Sequence, residues 1–139
     1  MYSINTKVRV RYAETDQMGY VYYGVYPQYF EIGRVELLRS LCISYRELEE
    51  RGFLLPVVHF SIDYLKPAFY DEELIIKTSI DAIPHVKIGF KYSTYNAQND
   101  MLNTANTTLQ NETNRINAAN LLQINQQALA NLWQRYRDE

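Results

Sequence analysis

The sequence predicts an α+β domain in which an antiparallel sheet packs on one long helix, and three observations carry that expectation. Apolar residues recur at helical spacing from Tyr26 to Leu41. Three later segments alternate apolar and polar residues at the period of strands, in quick succession along the chain. A chain of 139 residues is long enough for one core and too short for two comfortable ones, so residues 1–139 are expected to form a single domain.

The first expected element is a strand over residues 7–13, KVRVRYA, with Val8, Val10 and Tyr12 on one side against Lys7, Arg9 and Arg11 on the other. An acidic loop follows. Tyr26, Tyr29, Phe30, Gly33, Leu37, Leu38 and Leu41 then mark one face of a helix of about four to five turns. Pro27 places the first turn, since a proline has no amide hydrogen to donate further in. Gly33 inside that helix lowers its stability but admits another backbone closely. Ser44 with Glu47 forms a capping pattern, and Gly52 a stop, for a short second helix.

Three strands come next. Val58, Phe60, Ile62 and Tyr64 share a face in residues 57–66. Leu74, Ile76, Thr78 and Ile80 share one in residues 74–82. Val86, Ile88, Phe90 and Tyr92 share one in residues 85–95. One mixed face on each strand predicts a sheet covered on one side and partly wet on the other.

The chain then changes character, with 16 Asn or Gln from Asn96 to Gln134 against three before. MLNTANTTL reads as at best a weak strand and QNETNRINA as loop. A C-terminal helix is expected to pack through Leu121, Leu122, Ile124, Leu129, Leu132, Trp133 and Tyr136. One long helix covers only part of such a sheet, and ten of the 13 tyrosines precede residue 80. The leftover tyrosine-rich surface predicts a homodimer, with a homotetramer as the next state.

A net charge of −2 gives no electrostatic footprint for nucleic acid. Neither a leader pattern nor a long uncharged apolar segment is present, so export and membrane insertion are not expected. Cys42, the single cysteine, cannot form an internal disulfide. Its apolar helical context predicts an inert, buried thiol and fits a cytoplasmic location. His59 and His85 lie on separate strands without a metal-ligand spacing, so no metal or cofactor is expected, and His59 reads as a sheet-surface residue.

Residues 12–26, YAETDQMGYVYYGVY, set Glu14 and Asp16 among five tyrosines at the entrance to the long helix. Taken alone, Asp16 fits either a turn or cap residue or a catalytic carboxylate. Glu14 is expected to be solvated or paired with Arg9 or Arg11, and Glu31 can pair with Arg34 three residues on.

The stretch RYAETDQMGYVYYGVYPQYFEIGRVELLR, followed by ISYRELEERG, LPVV and DYLKPAFYDEEL, resembles the hotdog-fold acyl-CoA thioesterases of the 4-hydroxybenzoyl-CoA thioesterase type. The resemblance runs from about residue 7 to residue 95. It implies a curved antiparallel sheet wrapped around one long helix, dimers joined edge to edge, and active sites at the dimer interface. It further implies that Asp16 is the essential carboxylate and that the backbone amide at Tyr23 donates to the thioester carbonyl. Relatives carry histidine or tyrosine at the Tyr23 position. After TTL the family continues with an apolar strand, an arginine and prolines; this chain continues with QNETNRINAAN.

Thioester hydrolysis needs a nucleophile or general base and a stabiliser for the oxyanion. Asp16 can supply the first in either role, and a helix N-terminus the second. Lys77, Lys87 and Lys91, on polar strand faces, can hold the phosphates of CoA as point charges. The expected substrate is an acyl-CoA or acyl-carrier-protein thioester. A hotdog dehydratase would want a histidine facing an acid, and neither histidine falls in the acidic loop or the long helix. A non-catalytic acyl-CoA-binding or scaffold protein is the alternative if the unusual C-terminal third has disabled the pocket.

Overall fold

The computed structural model describes residues 2–50, 52, 54–80, 87–110, 130, 131 and 134. The expected C-terminal helix, the loop after residue 110, Val86 and His85 fall largely or wholly outside the described residues. Among the described residues five strands form one antiparallel sheet: β1 (Tyr2–Arg9), β2 (Val57–Tyr64), β3 (Glu73–Ile80), β4 (Lys87–Tyr95) and β5 (Met101–Gln110). Their order across the sheet is β1-β3-β4-β5-β2, so β1 and β2 are the edges.

Helix α1 (Tyr26–Ser40) buries Tyr26, Tyr29, Phe30, Gly33, Leu37 and Leu38 against the sheet, the face its spacing predicts. The Phe30 ring stacks on Tyr92 of β4 with centroids 4.5 Å apart. Arg34 donates to the Tyr92 hydroxyl at 3.2 Å rather than pairing with Glu31. At Gly33 the helix backbone comes close to the sheet. A Cβ there would collide with the Thr78 hydroxyl on β3 and reach the Ile76 methyl at 3.4 Å.

The helix ends in a paired-carbonyl motif. Cys42 N–H donates to Arg39 O and Ile43 N–H to Leu38 O, both at 2.9 Å, with Cys42 at φ 61°. Glycine is the usual residue in that left-handed position. Cys42 is exposed there, which corrects the expectation of a buried thiol: the helix has already turned away from the core when it reaches the cysteine. Helix α2 (Tyr45–Glu50) starts where Ser44 Oγ accepts the Glu47 amide at 3.3 Å, and Gly52, at φ 90°, follows its end.

Two strands differ from expectation. β1 starts five residues earlier than residue 7 and ends at Arg9, pairing in register from Tyr2↔Ile80 to Arg9↔Glu73. Beyond it Val10 is buried, but Tyr12 turns out to solvent at 78% exposure because the chain closes into one turn of 3₁₀ helix at Tyr12–Glu14. β5 is a full strand of 10 residues between β4 and β2, not a weak one. Its inward positions include the polar Asn103 and Thr107. Cross-strand partners reach both, Thr94 Oγ1 donating to Asn103 Oδ1 at 2.8 Å and Thr107 bonding the Tyr92 hydroxyl at 2.7 Å. Side-chain hydrogen bonds thus let a strand with few apolar residues sit inside the sheet.

The predicted inner faces of β3 (Leu74, Ile76, Thr78, Ile80) and β4 (Ile88, Phe90, Tyr92) are all buried. On edge strand β2, Phe60 and Ile62 are half-buried while Val58 and Tyr64 are each 48% exposed. His59 is exposed on the same strand. A long helix on one face of a five-stranded antiparallel sheet is the α+β, hotdog arrangement that the resemblance implies. Among the described residues no helix is long and apolar enough to cross a membrane.

Candidate active site

Residues 10–25 link β1 to α1 and hold two carboxylates in two different turns. Glu14 closes the first. Its Oε1 accepts the Arg11 amide at 2.8 Å and the Tyr29 hydroxyl at 2.9 Å, and its Oε2 accepts from the Arg11 guanidinium at 3.3 Å. The Glu14 carbonyl accepts the Tyr22 amide at 2.9 Å. Glu14 therefore pairs with Arg11 as one of its expected partners, but it is buried rather than solvated. Burial alone would raise its pKa; the hydrogen bonds from the Arg11 amide, Tyr29 and the Arg11 guanidinium outweigh that and hold the carboxyl below its ordinary value.

Asp16 organises the second turn. Its Oδ1 accepts the amides of Met18 at 2.9 Å and Tyr20 at 3.1 Å, while Oδ2 accepts no hydrogen bond from a described residue. The Asp16 amide donates to Tyr20 O at 2.8 Å, and Gly19, at φ 81°, donates to Asp16 O at 3.0 Å. Only glycine adopts that backbone angle without strain. The turn is fastened to the segment before β3 by the Val21 amide on Ala68 O at 2.9 Å and by a bridge from Tyr20 to Phe69.

The chain then makes a 3₁₀ turn, Tyr23–Val25, that runs directly into α1. Amides in such a first turn have no intrahelical acceptor and carry the positive end of the helix dipole. Tyr23 is 65% exposed; its ring lies 4.6 Å from that of Tyr22, and its carbonyl accepts the Tyr64 hydroxyl at 3.0 Å.

Asp16 and Tyr23 line one open cavity of about 320 Å³ together with Tyr20, Tyr26, Tyr64 and Lys66. Met18, Val21, Leu65 and Pro67 complete it. The walls are largely aromatic, and two of the hydroxyls, those of Tyr26 and Tyr64, hold their protons more tightly than a free phenol. Burial first, then the neighbouring Tyr64 and Glu72, push the Tyr26 hydroxyl up to about 12, against a smaller opposing effect of the Asn103 amide. Burial, then Tyr23, raises Tyr64. At neutral pH these groups are hydrogen-bond donors rather than bases.

The sheet keeps Lys77, Lys87 and Lys91 apart from this cavity. They are exposed on β3 and β4, between inward neighbours such as Ile76, Thr78, Phe90 and Tyr92 that are buried, so they lie on the outer face. The cation at the cavity is Lys66, whose Nζ is 3.8 Å from Asp100 Oδ2. Its signal was the stretch DYLKPAFYDEEL, where the lysine just before Pro67 follows the last residue pairs of β2.

Residues 18–98 match the model of the thioesterase superfamily. The chain is 38% identical over 101 residues to YneP of Bacillus subtilis (strain 168), a candidate acyl-CoA thioesterase, covering 73% of each chain. It is 34% identical over 98 residues to the acyl-CoA thioester hydrolase YbgC of Escherichia coli O6:H1, covering 70% of this chain and 73% of that one. The crystal structure of DHNA-CoA thioesterase from Staphylococcus aureus superposes with a TM-score of 0.79 at 29% identity, over 94% of this chain and 95% of that one.

Proposed function

The chain belongs to the thioesterase superfamily, and from that premise we propose that it hydrolyses an acyl-CoA thioester to the free acid and CoA, with residues 1–139 acting as one catalytic domain. The observation that carries the reading is the Asp16 carboxylate at an aromatic cavity, one oxygen fixed by two backbone amides and the other left without a described partner. A carboxylate needed only for its turn would have no reason to sit beside a helix start and a cavity of acyl-group size.

In this reading the acyl group enters between Tyr20, Tyr26 and Tyr64. The carbonyl oxygen accepts a hydrogen bond from the Tyr23 amide, where the dipole of the helix start favours the negative charge that develops. Asp16 Oδ2 then acts in one of two ways. As nucleophile it attacks the carbonyl carbon, expels CoA as its thiolate and leaves a mixed anhydride that water hydrolyses. As general base it takes a proton from a water that attacks the same carbon, and CoA again leaves as thiolate. In a single turnover in ¹⁸O-labelled water, unlabelled product with ¹⁸O in Asp16 marks the nucleophilic route with water attacking the Asp16 carbonyl carbon of the anhydride. Trapping of the anhydride by hydroxylamine distinguishes its hydrolysis at the acyl carbon from general-base attack. Lys77, Lys87 and Lys91 are assigned to the CoA phosphates outside the cavity, and an acyl-carrier-protein thioester is the second substrate form.

The assembly proposed is a homodimer that extends to a homotetramer, in the reducing cytoplasm. Supporting it are the exposed Val57, Val58, Tyr64, Leu65, Phe69 and Tyr70 around edge strand β2 and the segment after it. Sedimentation as a monomer at micromolar concentration would remove that part. The test of the chemistry is release of free CoA by the wild-type chain and by Asp16→Asn. Turnover is expected to fall at least ~10²-fold in the variant. Binding of acyl-CoA without any CoA release by the wild type would favour the non-catalytic acyl-CoA-binding or scaffold role instead.

A further inference from the structure

The turn that carries the Tyr23 amide enters the helix without a cap of its own. Neither Tyr22, which precedes the 3₁₀ turn, nor Val25, which precedes α1, has a side chain that hydrogen-bonds the amides there. A Ser, Thr, Asp or Asn fixes such a junction in most helices. Here the backbone fixes part of it: the Tyr22 amide donates to Glu14 O and the Val25 amide to Tyr22 O, both at 2.9 Å.

Two peptide planes meet at Tyr23, and different parts of the molecule hold them. The plane before it carries the amide. Its carbonyl, Tyr22 O, is turned inward to accept from Val25, and a trans peptide sets the Tyr23 N–H in the opposite direction, out of the turn. No described residue accepts that hydrogen. The plane after it carries Tyr23 O, which accepts the Tyr64 hydroxyl at 3.0 Å. Among the described residues Tyr64 is the one side chain that hydrogen-bonds the backbone of the turn, and it comes from β2, 41 residues further along the chain.

Tyr64 is itself held on both sides. It ends the β2 ladder opposite Asn103, and just beyond it the amides of Leu65 and Lys66 converge on Leu102 O at 2.8 and 3.0 Å. Its ring meets that of Tyr26 edge to face, with centroids 5.8 Å apart. A hydroxyl on a stem fixed in this way is a strut between sheet and turn. Tyr64 is 48% exposed, and Phe60 and Ile62 supply the packing of the strand against the core, so the strut is placed for the turn rather than for the core.

We infer that Tyr64 is a positioning residue for the proposed reaction: by holding the carbonyl of Tyr23 it fixes the direction of the Tyr23 amide, and with it the place where the thioester oxygen gathers negative charge. In this role its hydroxyl acts through the turn and touches neither the scissile carbonyl nor Asp16. The inference rests on the reading of the Tyr23 amide as the donor to that oxygen. Such a donor stabilises a transition state only when it is already aimed at the oxygen, and a small misplacement forfeits much of the effect.

The experiment compares the wild type with Tyr64→Phe, which keeps the ring at the cavity wall and removes only the hydroxyl, and with para-aminophenylalanine incorporated at position 64, which restores a donor. In Tyr64→Phe, kcat for CoA release should fall about tenfold while Km stays within about twofold, and the amino side chain should recover most of the loss. A second readout needs no turnover. A CoA analogue in which a methylene separates the sulfur from an isotope-labelled carbonyl is bound, and the infrared stretch of that carbonyl is recorded. A hydrogen bond from the amide lowers its frequency, so the stretch should move to higher frequency in Tyr64→Phe and back with the amino side chain. A kcat within about twofold of wild type in Tyr64→Phe, or an unmoved stretch, overturns the inference and leaves the proposed reaction standing. Should the wild type release no CoA, the proposed reaction fails and the infrared readout alone decides. A stretch that moves in Tyr64→Phe then keeps Tyr64 as the residue that aims the amide, and one that does not move overturns it.

Discussion

Glu14 and Asp16 stand two residues apart in one loop, and the fold treats them in opposite ways. Both oxygens of Glu14 are occupied, by the Arg11 amide, the Arg11 guanidinium and the Tyr29 hydroxyl, at a position only 8% exposed. Asp16 is half-buried, gives one oxygen to its own turn, and lines a cavity. The difference separates two structural positions: Glu14 ties the loop to α1 through Tyr29, while Asp16 shapes its own turn at the cavity. Charge alone did not separate the two roles. Their partners did.

The largest expected effect breaks the comparison on the Asp16 side. Asp16→Asn keeps the turn, because the amide oxygen can still accept from Met18 and Tyr20, but loses the charge. A fall of at least ~10² in kcat corresponds to about 2.7 kcal/mol of barrier. Its melting temperature should stay close to wild type, since the lost charge lies outside the packed core. A thermal scan beside the CoA-release assay reads both halves, and a large loss of stability would make Asp16 a second Glu14.

Glu14→Gln reverses the pattern. The amide that replaces Oε2 confronts the Arg11 guanidinium donor to donor, in a buried site, and a loss of about 2 kcal/mol is expected in denaturant unfolding. The pH dependence follows from the lowered pKa. A carboxyl held below its unfolded value of 4.5 contributes stability that is present above that pH and is lost as the pH falls through the folded value beneath it. Acid titration of stability should therefore show a steeper loss below about pH 4.5 in the wild type than in Glu14→Gln. Parallel curves would assign the acid limb to other carboxylates.

Tyr29→Phe sharpens the comparison by removing only the tie from helix to loop. Glu14 keeps Arg11, so about 1 kcal/mol is expected, half of the Gln effect. A loss as large as that of Glu14→Gln would mean that the Tyr29 tie weighs as much as the contact to the Arg11 guanidinium.

How legible this was in the sequence depended on where each partner lies along the chain. The buried face of α1 was readable residue by residue, because helical spacing records it, and so were the inner faces of β3 and β4. Asp16 and Tyr23 were marked by the resemblance, and they do share one cavity. The burial of Glu14 was not readable, since its helix partner Tyr29 is 15 residues away. β5 was underestimated because Asn103 and Thr107 count as polar in any pattern, and only the folded sheet brings Thr94 and Tyr92 to them. Lys66 was passed over for lysines at regular strand positions, although a bend after β2 brings it to the cavity and leaves them on the outer face.

The smallest effect tests whether the geometry of the Asp16 turn matters by itself. Gly19 sits at φ 81°, and a Cβ added there would meet nothing within 4 Å. Gly19→Ala therefore removes no contact and creates no clash; it acts through the backbone angle alone, at a cost of about 1 kcal/mol. The strained turn can relieve itself in one way that leaves the core intact, by loosening the hydrogen bond from Gly19 to Asp16 O and with it the seat of the carboxylate. If Asp16 is the reacting group, kcat should drop several-fold, more than the modest fall in stability explains at temperatures well below melting, while Km for an acyl-CoA changes little. If the stability falls and kcat does not, the turn is a hinge of the fold like that of Glu14, and the carboxylate does not depend on its backbone frame.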